Sequence, residues 1–338
     1  MIMKKLIPLI AAVILLTSCI DNTPYQAQTS FFAMDTYMEI TAYGHVNTSL
    51  TDCKDEIYRL ESLLSVTDPA SDIGRLNASA TTDISPDTAE IIRYAKQIGE
   101  ETNGALDITV YPVLKEWGFT TGDYKIPDSE TLSALLQKVD FTQIQIDDNT
   151  IPTVSVPNGV LLDLGALAKG YASDKAAGIL RDNNVSSALI NLGGSIMAIG
   201  SNPGTAAPWR IGIRNPFSLD ENVGVIEVSD KAVVTSGSYE RNFTAADGKT
   251  YHHIIDPDTG CPAESGLVSA TVIGDSGIMC DALSTAFFVM GAEKAAEYHR
   301  EKGGFDMILV TENGEILITE GIADSFTNLT DHPLSICG

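Results

Sequence analysis

The chain has 338 residues, 44% of them hydrophobic and 20% charged, with a formal net charge of −24. That length supports one large domain or two intimately packed lobes, and the composition excludes a disordered protein. An acidic surface repels phosphate backbones and small anions alike, so it argues against nucleic acid and implies a mediating cation for any phosphorylated ligand.

The N-terminus has the pattern of a processed leader. Met1-Ile2-Met3-Lys4-Lys5 is a positive n-region, and residues 6–15 form an apolar stretch too short to span a bilayer. Leu16-Thr17-Ser18-Cys19 then ends a small-residue site in cysteine, which is the lipobox pattern. Residues 1–18 are expected to be a lipoprotein signal peptide, Cys19 the lipidated N-terminus, and residues 19–30 a tether. An ordinary secretory signal with a chance cysteine is the competing reading. Acylation contributes ~0.8 kcal/mol per buried methylene, so a multiply acylated Cys19 would hold firmly. Loss of Lys4 and Lys5 takes the net charge from −24 to −26. The body, 31–335, would then work outside the cytoplasm, anchored to a plasma or an outer membrane. Cys53, Cys261, Cys280 and Cys337 show neither C-x-x-C nor a zinc spacing, and no disulfide among them can be assigned.

Along the body, 31–43 reads as a strand and 50–64 as a helix with Ile57, Leu60, Leu63 and Leu64 on one stripe. Asp68-Pro69 and Asp72-Ile73-Gly74 read as a loop. Ser85-Pro86 opens a helix that Asn103-Gly104 closes, and 129–139 forms another. Strands are expected at 141–146 and 153–162, then a helix at 165–180. Strands follow at 187–192, 196–199, 209–214, 223–228, 232–235, 251–255 and 268–273. A buried helix over 277–291, capped by Asp275 or Ser276, a helix at 292–302 and a hairpin of 307–310 with 316–318 end the chain. Runs of strands with a few long helices argue α+β with largely antiparallel sheets.

Several polar residues break this pattern. Asp281 sits alone in the apolar 277–291 run, with Thr285 one turn later on the same face. A structural aspartate, neutralised by an arginine or by backbone donors, competes with a magnesium-type pair of carboxylate and hydroxyl. Asp107 and Asp163 are similar lone acids, and Asp163 could simply pair with Lys175; Lys169 follows on the next turn. Asn191-Leu192-Gly193-Gly194-Ser195 is a tight turn that lacks both phosphate-loop spacings. In His252-His253-Ile254-Ile255-Asp256-Pro257, strand alternation sends the two histidines to opposite faces. One of them is a candidate general base, against the plainer role of bonding backbone at a strand end. No G-x-S-x-G elbow accompanies them.

Taken in order, these segments resemble the ApbE family of flavin transferases. The motifs that carry the resemblance are Met34-Asp35-Thr36, Asn103-Gly104-Ala105-Leu106-Asp107, Asp163-Leu164-Gly165-Ala166-Leu167-Ala168-Lys169-Gly170-Tyr171, Asn191-Leu192-Gly193-Gly194, Ser236-Gly237-Ser238-Tyr239-Glu240-Arg241 with His253-Ile254-Ile255-Asp256-Pro257-Asp258-Thr259-Gly260, and Asp281-Ala282-Leu283-Ser284-Thr285-Ala286. Asp35 and Leu106 depart from the usual Gly and Phe. The resemblance implies a T-fold-like α+β architecture and Mg2+-dependent transfer of FMN from FAD to a threonine hydroxyl of a target flavoprotein, with release of AMP. It further implies His253 as general base, the Ala166 carbonyl, Asp281 and Thr285 as magnesium ligands, and an FAD pocket of Met34, Ala105, Leu106, Asp107, Asp163, Lys169 and Ile254. The acceptor would belong to a membrane-associated redox flavoprotein subunit. An FAD pyrophosphatase giving FMN and AMP, and a non-catalytic flavin-binding lipoprotein, are the alternatives.

Overall fold

The computed structural model describes residues 25–338 except 45 and 247, so the expected signal peptide and Cys19 lie outside the described residues. Nine strands form the central sheet: β1 (Gln26–Ala33), β2 (Thr36–Tyr43), β3 (Ala188–Leu192), β4 (Ser195–Ile199), β5 (Ala232–Gly237), β6 (Leu267–Gly274), β7 (Phe305–Thr311), β8 (Ile316–Ile318) and β9 (Leu334–Ile336). They lie side by side in chain order, antiparallel except for the parallel pair β8 and β9. The helices are α1 (Asn47–Leu64), α2 (Asp72–Ser79), α3 (Pro86–Glu101), α4 (Tyr111–Glu116), α5 (Ser129–Leu136), α6 (Ala168–Asp182), α7 (Gly277–Met290) and α8 (Ala292–Lys302).

Strand alternation decides the layers. Met197, Val234, Val272, Met307 and Leu309 enter one core with the helices, while Ala198, Val233, Ile273, Ile308 and Val310 enter a second. That second core is closed by a small antiparallel sheet of Trp209–Asn215, Ser218–Val228 and Phe326–Asn328. The middle strands are therefore covered on both faces, which is why their sequences run apolar with little alternation. Helix α7 lies against α6, β5 and β6 and is apolar nearly all round for the same reason. The result is α+β with largely antiparallel sheets, as expected.

Local differences have local causes. The 31–43 stretch is a hairpin, because Met34 and Asp35 adopt φ of 48° and 59°. Two left-handed residues suit a two-residue type I′ turn, and no glycine marks it in the sequence. Strand β1 starts at Gln26, inside the stretch expected to be tether. Asp72-Ile73-Gly74, expected as loop, is instead the first turn of α2: Ser71 Oγ accepts the Gly74 N–H at 2.8 Å. Gly74 serves close packing there, since a Cβ would lie 2.0 Å from the Asp68 carbonyl oxygen. The strand at 153–162 shortens to Thr153–Ser155, and 141–146 splits into a 3₁₀ turn and Gln145–Asp147. Cys53, Cys261, Cys280 and Cys337 are free thiols.

Candidate active site

Two helices cross glycine to glycine. A Cβ on Gly170 of α6 would stand 2.2 Å from the Gly277 carbonyl oxygen and 2.7 Å from Asp281 Cβ, and one on Gly277 would stand 2.4 Å from the Gly170 carbonyl oxygen. The approach carries Asp281 of α7 to the first turn of α6, where the Gly170 N–H donates to Asp281 Oδ2 at 2.8 Å. First-turn N–H groups lack helical acceptors and carry the positive end of the helix dipole, so a carboxylate is stabilised there. Asp281 is nevertheless only 5% exposed, and burial pushes its carboxyl above the usual range, against the pull of Lys169 and the Gly170 N–H.

The cap of α7 differs from expectation. Asp275 pairs with Lys231 at 2.6 Å, and the Ser276 side chain does not cap. Asp174 of α6 does so instead: it accepts the N–H groups of Gly277 at 2.6 Å and Ile278 at 3.0 Å, and the Ser276 hydroxyl at 3.0 Å. An acid on one helix thus fixes the start of the other, and with it the position of Asp281.

The Lys169 charge reaches the remaining acids and the histidine: it draws the carboxyls of Asp163 and Asp281 down and opposes protonation of His253. Asp163 precedes α6; its Oδ1 accepts the Gly165 N–H at 2.7 Å and its own N–H donates to the Ile108 carbonyl at 2.8 Å. Burial raises its carboxyl, opposed by Gly165, Arg241 and Lys169. Lys175 does not pair with it but lies 3.1 Å from Asp87. Asp107, 8% exposed, accepts the Thr109 N–H at 2.7 Å, the Thr109 hydroxyl at 2.6 Å and the Phe141 N–H at 3.1 Å. Its carboxylate therefore fastens the segment that carries half-buried Ala105, buried Leu106 and the Ile108 carbonyl that holds Asp163.

His253 follows a short hairpin of Asn242–Thr244 and Thr250–His252. Its Nδ1 lies 3.2 Å from the Arg241 carbonyl, which also accepts the His253 N–H at 3.0 Å. A carbonyl only accepts, so Nδ1 carries the hydrogen and Nε2 keeps its lone pair. Burial, the Arg241 charge and Lys169 pull the imidazole down to about 3, so it is neutral near pH 7. His252 turns the other way, edge-on to Phe288 at 5.3 Å. Ile254 is buried, and its carbonyl accepts the Ala263 N–H at 2.9 Å.

Thr285 is half-buried, and Ser236 Oγ of β5 lies 3.1 Å from its hydroxyl. The Ala166 carbonyl, just before α6, accepts no hydrogen bond among the described residues. Met34 stands on the β1–β2 turn and donates its N–H to Glu61 at 2.6 Å. A Cβ on Gly193 would meet Thr36 Oγ1 at 2.2 Å, which sets that turn against the Gly193-Gly194 turn. No hydrogen bond or ion pair ties Met34 to Asp163, Lys169 or Asp281 among the described residues. A separate groove of about 500 Å³, lined by Lys115, Lys125 and Lys138 among others, holds none of the expected site residues.

A model described as the ApbE family matches residues 34–309. The chain belongs to the ApbE family. It is 31% identical over 303 residues to a Klebsiella pneumoniae FAD:protein FMN transferase, covering 88% of this chain and 93% of that protein. It is 33% identical over 299 residues to the Treponema pallidum protein of the same name, covering 83% and 82%. The crystal structure of the ApbE protein of Thermotoga maritima superposes with a TM-score of 0.82 at 32% identity, over 89% of this chain and 99% of that one. The Vibrio cholerae flavin transferase ApbE gives 0.78 at 28% identity, over 89% and 99%.

Within this ApbE fold, several features escaped the sequence. Asp174 looks like an ordinary helix residue until its contacts with α7 are known, and Ser236 and Ser284 stood in motifs with no sign that they would meet. Arg241 was visible inside a motif, but its charge beside His253 was not. An aromatic wall of Trp117, Phe119, Tyr124, Phe243 and Tyr251 backs the hairpin; Tyr124 and Phe243 stack at 4.9 Å, and Phe119 meets His253 edge-on at 6.4 Å. Only the aromatic content of 117–124 hinted at it.

Proposed function

We propose that this ApbE-family chain transfers FMN from FAD to a threonine hydroxyl of a target flavoprotein, releasing AMP. The Lys169 charge acting on Asp163, Asp281 and His253 together carries this proposal, because it links an anion-neutralising cation, a neutral imidazole and a hard-oxygen site. Asp281, the Thr285 hydroxyl and the Ala166 carbonyl would hold Mg2+, and their donor set suits it: one carboxylate, one hydroxyl and one carbonyl that accepts no hydrogen bond among the described residues. Magnesium would shield the donor's phosphate charge and stabilise the departing AMP.

In this scheme Ala105, Leu106, Ile254 and Met34 contribute walls for FAD, Asp107 and Asp163 shape the pocket's edge, and Lys169 neutralises charge on the donor phosphates. His253 Nε2 takes the proton of the acceptor threonine. The hydroxyl oxygen attacks the FMN-side phosphorus, the bond to the AMP oxygen breaks, and a threonyl phosphoester of FMN remains. The same proposal puts the enzyme outside the cytoplasm, anchored through acylated Cys19 near a membrane-associated redox flavoprotein subunit.

The test is to incubate the protein with FAD and Mg2+, with and without an acceptor flavoprotein subunit. Covalent fluorescent flavin on a denaturing gel supports transfer. Free FMN without acceptor supports FAD pyrophosphatase activity instead, and neither product would refute an enzymatic role.

A further inference from the structure

Four oxygens beside Asp281 form a chain whose hydrogens can point only one way. Ser284 Oγ lies 2.9 Å from the Asp281 carbonyl oxygen. Ser236 Oγ lies 2.9 Å from Ser284 Oγ and 3.1 Å from Thr285 Oγ1. The carbonyl at one end can only accept, so the Ser284 hydroxyl must donate to it. Ser284 has one hydrogen and has spent it, so it accepts from Ser236. Ser236 has likewise committed its hydrogen and accepts from Thr285. The Thr285 hydrogen is thereby drawn toward β5, and the oxygen's remaining lone-pair capacity faces away from the serines.

We infer that Ser236 and Ser284 are positioning residues that fix the proton polarity of Thr285 so that its hydroxyl oxygen faces the site as an acceptor ready for a hard cation. This rests on the cation site proposed above and adds to it a device built from residues outside the presumed ligand set. The placement supports it independently. Ser284 is fully buried, Ser236 and Thr285 are half-buried at the same end of the sheet, and among the described residues no other hydrogen-bond partner competes for these side chains. A threonine inside a helix ordinarily back-bonds to a carbonyl one turn earlier. Here Ser284 takes the Asp281 carbonyl, and the partner of the Thr285 hydroxyl is Ser236 instead. Without the relay, the Thr285 hydrogen can rotate toward the site, where a cation would meet a proton instead of a lone pair.

The experiment measures Mg2+ binding by titrating the full chain with Mg2+ alone, without flavin, and following both heat and the thermal midpoint. Outer partners that orient ligands are typically worth about 10- to 100-fold in metal affinity. Ser236→Ala is expected to raise the Mg2+ concentration for half-saturation about tenfold, and Ser284→Ala to raise it in the same direction, with the metal-free midpoint little changed. Asp281→Asn is run alongside. If Asp281→Asn weakens Mg2+ binding while both serine variants bind like wild type, the relay is wrong and the cation site stands. A lowered metal-free midpoint with an unaltered Mg2+ titration would make the serines purely structural and overturn the inference. If Asp281→Asn leaves the titration unchanged, the cation is not at this site and the relay falls with it. Each serine variant removes a single oxygen and keeps a side chain suited to its helix or strand, so each is expected to fold.

Discussion

The glycine crossing of α6 and α7 makes a prediction that can be worked in magnitude. In Gly170→Ala the new methyl would stand 2.2 Å from the Gly277 carbonyl oxygen and 2.7 Å from Asp281 Cβ, both far inside contact distance. Neither obstacle is the far end of a flexible chain, so the helices must part. Overpacking of this kind costs about 1–3 kcal/mol. Losing the 2.8 Å bond from Gly170 N–H to Asp281 adds about 1.5–3 kcal/mol, since a charged acceptor would be left buried. The variant should therefore lose about 2.5–6 kcal/mol in urea unfolding followed by circular dichroism, and should need more Mg2+ for flavin transfer. Gly178, two turns further along the same helix, is the control: a Cβ there meets nothing within 4 Å. Gly178→Ala should gain about 0.5–1 kcal/mol, because alanine is the better helix former. A Gly170→Ala protein within about 0.5 kcal/mol of wild type, with its Mg2+ titration unmoved, would refute the crossing as the device that places Asp281.

Other consequences follow from single residues. His253→Ala should keep FAD binding by equilibrium dialysis yet lose transfer by about 10²–10⁴-fold; an unchanged transfer rate would remove the imidazole from its role. Asp174→Ala removes the cap of α7 and should cost about 1–2 kcal/mol in the same unfolding assay, and no loss would show that the Ser276 end caps itself. An unfolded histidine titrates near ~6.5, whereas folded His253 is held down to about 3, so the unfolded chain takes up the extra proton between those values. The stabilisation is present above that window and lost as pH falls: on going from pH 7 to pH 5 wild type should lose about 2 kcal/mol more than His253→Gln, and parallel curves would contradict the depressed imidazole.

The sequence carried the long-period information well and the non-local information poorly. Helices α3 and α8 and the strands that build the middle of the sheet follow from apolar periodicity with caps such as Ser85, which indeed accepts the Thr88 N–H at 3.1 Å. What failed were features without a local signature. The turn at Met34 and Asp35 uses two left-handed residues that are not glycine, so nothing divided the 31–43 stretch. Gly74 looked like a loop residue because a glycine needed for close approach is indistinguishable, in sequence, from one needed for a turn. The same ambiguity hid Gly170 and Gly277, whose meaning lies in each other. Asp281 was legible as an anomaly, a charge in an apolar run. Its environment was not, because the donor that holds it and the acid that caps its helix come from α6, and the serine that orients its neighbour comes from β5, both distant in the chain.

Those segments also explain how one site can attract a phosphate donor and still offer a base. Arg241 and Lys169 both oppose a proton on His253, adding to the larger effect of burial. On the proposed function Lys169 meets the anionic donor, and Arg241, whose charge also reaches Asp163 and His253, would meet it too. Empty of substrate, the imidazole is thus kept neutral with Nε2 free, but it is a weak base at a value near 3. A dianionic pyrophosphate beside Lys169 and Arg241 would cancel their repulsion and lift the imidazole toward a range where accepting the threonine proton is easier. The binding event that brings the donor would therefore strengthen the base that activates the acceptor. The pH dependence of kcat/KM reports the free enzyme and that of kcat the loaded one, so the acid limb of the kcat profile should lie at higher pH than that of kcat/KM. Coincident limbs would mean that burial alone sets the histidine and that the two cations serve the phosphates only.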